Sequence, residues 1–168
     1  MKSGLSIIEV ILVVLLLGLV AALTVPRFSR AGSADIEPDV RMPLSVLRNA
    51  IEMYYFDHGA YPGQNPDGMH PAGSAAAFRS QLTKFTDEAG RVADRKDDRH
   101  RFGPYLRAGI PPCLVPPRRG QTGVVMVTIR PGFLPEANGA GWVYNYQTGD
   151  IVMNSDALDA ENLAYDQY

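Results

Sequence analysis

One uninterrupted apolar run decides most of what this chain can become. From Leu5 to Val25 it reads LSIIEVILVVLLLGLVAALTV, with a single charge at Glu9. At about 1.5 Å per residue, such a helix spans roughly 30 Å, the thickness of a bilayer's hydrocarbon core. The apolar residues fall on every side of it, so it requires lipid or other helices all round. Lys2 precedes the run and Arg27 follows it. A cleavable secretory signal has a shorter apolar stretch, a small-residue cleavage site and no acid inside it. A plain anchor accounts for the length but gives Glu9 no use. An ionisable group at this depth is a functional feature whose partner has to be named.

Beyond the run the chain is ordinary soluble material. Hydrophobic residues make up 46% of the sequence, yet the mean hydropathy is only −0.09. The 168 residues leave room for one small domain after the helix. A net charge of −2 provides no basic field, so no nucleic-acid partner is predicted. Cys113 is the one cysteine. That excludes an intrachain disulfide and a Cys-rich zinc site, and Cys113 reads as a small buried apolar residue. No phosphate loop, nucleophile elbow, zinc spacing or dinucleotide fingerprint occurs. The three histidines, His58, His70 and His100, lie on different segments, so the reading is not that of an enzyme.

The segment MKSG/LSIIEV resembles the leader and processing motif of type IV pilins and type II secretion pseudopilins. The resemblance implies that an inner-membrane prepilin peptidase cuts after Gly4 and that the new N-terminal residue, Leu5, is methylated; the family usually has Phe there. Glu9 stands five residues into the mature chain, and Gly18 and Pro26 fall where the family tends to place a Gly and a Pro. Cleavage leaves a positive amine at Leu5. In a helical stack the Glu9 carboxylate of one subunit can meet the Leu5 amine of the next, while a wrongly shifted subunit buries an unpaired charge at a cost of several kcal/mol. Leu5 and Glu9 are therefore the expected register pair.

After Pro26, residues 44–55 carry a helical stripe, Leu44, Leu47, Ile51, Tyr54 and Tyr55, and Gly59 reads as the helix cap. Pro38 and Pro43, with Gly32-Ser33, interrupt what the family builds as one spine, and together with Gly18 and Pro26 they are the expected kink positions. A kink or break is predicted between Ala31 and Pro43. IEMYYFDHGAYPG is similar to the end of the spine helix in major pseudopilins of the general secretion pathway G group, and FGPYLRAGIPPCLVPP also resembles their sequences. Residues 63–75 read as a turn-rich loop with a solvated His70, residues 75–86 as a short helix, and 87–101 as an exposed charged loop. Gly123–Arg130, Gly141–Tyr146 and Asp150–Asn154 read as strands, the last two forming a hairpin.

The expected fold is α+β: a long N-terminal helix, half membrane and half amphipathic, packed on a small antiparallel C-terminal sheet in the pilin manner. The expected divisions are a leader at 1–4, a transmembrane and filament-core helix at 5–26, a spine helix at 27–59, a variable loop region at 60–121, and a sheet with an acidic tail at 122–168. Some major pseudopilins hold calcium near the C-terminus. Asp150, Asn154, Asp156 and Asp159 are the candidate oxygen ligands here, though their spacing is not that of an EF-hand. The function implied is that of a structural filament subunit anchored in the bacterial inner membrane with a periplasmic head. It would form a helical homo-oligomer with other pseudopilins on an assembly platform, in support of protein secretion. The alternatives are a surface pilin for adhesion, motility or DNA uptake, and a membrane-anchored periplasmic binding module.

Overall fold

The computed structural model describes residues 7–8, 11–15, 37–137 and 139–168. Gly4, Leu5, Glu9, Gly18 and Pro26 lie outside the described residues. Residues 7–8 and 11–15 are helical, and their apolar side chains are exposed. Among the described residues, no helix is long and apolar enough to cross a membrane.

Residues 38–168 form one compact unit. It opens within helix α1, Glu37–His58. Pro38 sits in the first turn, where its missing donor costs nothing. Pro43 lies inside the helix, so the expected interruption does not end the helix there. The helix runs on past the ring at the cost of one backbone hydrogen bond to Asp39. Val40, Leu44, Leu47, Ala50, Ile51 and Tyr54 form its buried stripe. Their three- and four-residue spacing keeps one face turned inward. Tyr55, expected in that stripe, is instead exposed and stacks on Tyr61 with ring centroids 4.4 Å apart. Gly59, at φ 64°, closes the helix by donating its amide to the Tyr55 carbonyl at 2.8 Å.

Helix α2, Ala75–Thr83, is capped by Ser74, whose hydroxyl accepts from the Ala77 amide at 3.2 Å. The chain then turns into two short antiparallel strands, β1 (Phe85–Thr86) and β2 (Val92–Ala93). Residues 102–117 cross the domain in irregular form and contribute Leu106, Ile110, Cys113 and Val115 to the core.

The main sheet holds β3 (Gly123–Val127), β4 (Ala140–Asn145) and β5 (Ile151–Met153) in that order. The hairpin β4–β5 is antiparallel, as expected. Strand β3, however, lies parallel to β4, so the sheet is mixed. The 128–139 connection supplies the dozen or so residues that a parallel crossover needs. Its described residues hold no helix, and for that reason the sequence read as an antiparallel sheet. At the β4–β5 turn Gly149 adopts φ 80°, and the Tyr61 ring occupies the place where a Cβ would stand. Every residue of β4 and β5 is buried. Trp142, Tyr144, Ile151 and Met153 share one apolar cluster with the inner stripe of α1. The Trp142 indole donates to the Pro111 carbonyl at 2.9 Å, which satisfies its single polar atom.

Candidate functional site

The residues expected to process and register the chain, Gly4, Leu5 and Glu9, lie outside the described residues. Four polar arrangements stand out among the described residues of 38–168.

The first closes the end of α1. His58 packs at a tilt on Tyr54 with ring centroids 4.1 Å apart and meets Phe102 edge-on at 5.1 Å. Its Nε2 lies 3.0 Å from the Thr86 hydroxyl and 3.2 Å from that of Tyr105, which donates to Asp57 at 2.7 Å. Burial lowers the His58 pKa, against the raising influence of the Glu88 carbonyl and of Asp57 and Asp87. The ring holds α1, β1 and the 102–105 segment together. This arrangement accords with the helix-end role read from the sequence.

The second and third are buried carboxylates. Asp67 accepts from the amides of Met69 and His70 at 2.8 and 2.6 Å, from His70 Nδ1 at 2.8 Å and from the Ser80 hydroxyl. Burial alone would raise its pKa, but the Ser80, His70 and Met69 donors hold it at about 2. His70, expected to be solvated, is therefore fixed from behind. Asp87 accepts from the Ala89 and Arg91 amides at 3.0 and 2.9 Å, and from Nε of Arg91 and Arg99 at 2.9 and 3.1 Å. Burial again acts upward, yet the Arg91 bonds and charge bring its pKa below the ordinary value. Residues 87–93 of the charge run are thus an organised turn leading into β2, while residues 94–99 are the exposed loop expected. Between the two carboxylates, buried Gln81 accepts from the Gly63 amide at 2.6 Å and donates to Asn65 and Gly90 carbonyls at 3.1 and 3.0 Å. Sequence reasoning missed this group. An Asp or Gln within a polar stretch carries no periodic signal.

The fourth arrangement is the C-terminal segment with the candidate calcium ligands. Asp150 accepts from the Thr148 hydroxyl at 2.6 Å in the β4–β5 turn. The buried Asn154 amide accepts from the Leu134 amide at 2.8 Å and donates to the Ala140 carbonyl at 3.0 Å, bracing the crossover. Asp159 accepts from the Glu161 and Leu163 amides at 2.8 Å each and from the Tyr168 hydroxyl, while Asp156 is exposed. The structure does not gather these four residues, and among the described residues no group of three or more His, Cys, Asp or Glu is placed to hold a metal. Nor is the tail simply solvated. Arg41 donates to the Tyr168 hydroxyl at 2.7 Å and lies 4.3 Å over its ring, and Arg48 reaches the carbonyls of Ile151 and Tyr168 at 3.1 and 2.5 Å.

Opposite its buried stripe, α1 exposes Met42, Val46, Met53 and Phe56, the last 89% accessible. What this part of the molecule offers chemically is apolar contact and held charges. A long helix sharing its core with a small sheet is consistent with the pilin-like fold. Over 62 residues the chain is 37% identical to the type II secretion system core protein G of Pseudomonas aeruginosa. Over 61 residues it is 31% identical to the protein of that name from Aeromonas hydrophila. Each match takes in 36% of this chain and 43% of the relative, so the chain spans less than half the length of the curated relatives it matches. No family model and no solved structure matches. The similarity to core protein G supports the relationship to secretion pseudopilins implied by the N-terminal motif and the spine-helix end.

Proposed function

We propose that the chain is a structural subunit of a type II secretion pseudopilus, not an enzyme. It is made with a leader cut after Gly4, methylated at Leu5, and held in the inner membrane by residues 5–26. It assembles from a membrane platform into a helical filament in which Glu9 of one copy meets the Leu5 amine of another. The observation that carries this reading is the similarity to two core G proteins of type II secretion. Two features add support. An acid stands alone inside a run that is otherwise apolar, and α1 leaves a large aromatic, Phe56, uncovered on its outer face, as a subunit that meets neighbours would.

The test is Glu9→Ala in the full chain, co-expressed with the secretion machinery. Sheared filaments should fall about tenfold or more in yield while residues 38–168 keep their fold by circular dichroism. The intact mass of the wild-type protein should begin at methylated Leu5. Filaments of Glu9→Ala at normal yield would overturn the register pair, and a mass beginning at Met1 would overturn the processing.

A further inference from the structure

A groove runs along the outer side of α2, with a volume of about 450 Å³. Met69, Ala75 and Ala76 give it an apolar floor, and its ionisable rim consists of His70, Arg79 and Lys84. No acid lines it. Two other clefts among the described residues differ in this respect. One sets Arg48 and Arg130 among Glu52, Asp150 and Asp166, and the other sets Arg91, Arg99 and Arg101 among Asp87, Glu88 and Asp98. Those clefts carry acids within their own lining, whereas the groove on α2 does not.

The three basic groups are unequally committed. The Arg79 side chain has no hydrogen-bond or ion-pair partner among the described residues. Lys84 is 2.8 Å from Asp94, whose side chain is 83% exposed; so open a pair is weak and can be exchanged for a ligand. His70 is held by its Nδ1 on buried Asp67, at 2.8 Å, which leaves Nε2 as its unengaged nitrogen. The Asp67 charge is answered by four donors behind the groove wall. An imidazole Nε2 accepts the O–H of a hydrogen phosphate or, protonated, donates to a bare phosphate oxygen. A guanidinium provides paired donors for two further oxygens. The apolar floor has nothing to offer a bare ion but can cover a hydrocarbon or ring.

We propose that this groove is a binding site for a phosphate monoester with an apolar body, Arg79 and Lys84 holding the phosphate, His70 Nε2 bonding one of its oxygens, and Met69, Ala75 and Ala76 covering the body. The reading is independent of filament assembly.

The experiment is calorimetric titration of the full chain in neutral maltoside micelles with phenyl phosphate, inorganic phosphate and phenol. Phenyl phosphate should bind saturably in the millimolar range or tighter, and about tenfold tighter than either comparator. Arg79→Gln, on an exposed position that leaves the fold intact, should weaken it about tenfold. Arg107→Gln, away from the groove, should leave it unchanged. The absence of saturable heat with phenyl phosphate, equal affinity for phenol, or an equal effect of the two arginine variants would each overturn the proposal.

Discussion

The two hairpins of the head reach the same topology by opposite means. In β4–β5 every residue is buried, and the strands are held by Trp142, Tyr144, Ile151 and Met153 in the common core. In β1–β2 the strands are two residues long, and the intervening turn is wound about one carboxylate, Asp87, with four donors. Apolar burial is non-directional and large, whereas a buried carboxylate is directional and fails completely when its charge is lost. The first hairpin should therefore govern global stability and the second only its own neighbourhood.

Three measurements bear on that contrast, in falling order of expected effect. Trp142→Ala empties the centre of the core and should cost about 3–5 kcal/mol of unfolding free energy, read by denaturant titration. A loss below about 1 kcal/mol would remove β4–β5 from its governing place. Acid should act next, through Asp67. Its folded pKa of about 2 lies below the ordinary 3.8, so its contribution is full above the unfolded value and is lost as pH falls through the folded one. The head should lose about 2 kcal/mol between roughly pH 4 and pH 2 that Asp67→Asn does not lose. A variant with the same acid slope as wild type would show that the carboxylate is not ionised in the fold. The smallest effect belongs to the Arg101–Glu88 pair, 2.6 Å apart and largely exposed. Arg101→Ala should change stability by less than about 0.5 kcal/mol. Hydrogen exchange at Ala89 and Arg91 should also stay slow, because their amides bond Asp87 and not Glu88.

The same contrast explains what could be read in advance. Leu44, Leu47, Ile51 and Tyr54 repeat at helical spacing, and that period gave away α1 and its inner face. The apolar run in β4 and β5 around Gly149 gave away their hairpin. Tyr55 was misread because it continues the stripe in spacing yet finds a surface partner in Tyr61. The parallel course of β3 left no trace, since strand direction depends on where a chain returns and not on which residues it holds. Asp67, Gln81 and Asp87 were illegible for a related reason: their importance comes from donors that arrive from loops, and loops have no period. The candidate calcium residues show the converse. Asp150, Asn154, Asp156 and Asp159 form a pattern in the sequence, but the fold engages Asp150, Asn154 and Asp159 in separate hydrogen-bond sets and leaves Asp156 exposed. The groove on α2 was invisible too, because Met69 and Lys84 come together only once the 67–70 loop is pinned.

The inner stripe of α1 has a consequence for the order of events during synthesis. Its partners on β4 leave the ribosome more than 80 residues later than His58 does. At about 5–20 residues per second that is a delay on the order of ten seconds. For that interval the inner side of the helix can draw on the earlier core residues, from Phe78 to Val115, but not on β4, and the outer side is bare. A nascent-chain binder that shields it, or a pause that lengthens the wait, would alter the yield of this protein without touching any contact in the finished fold.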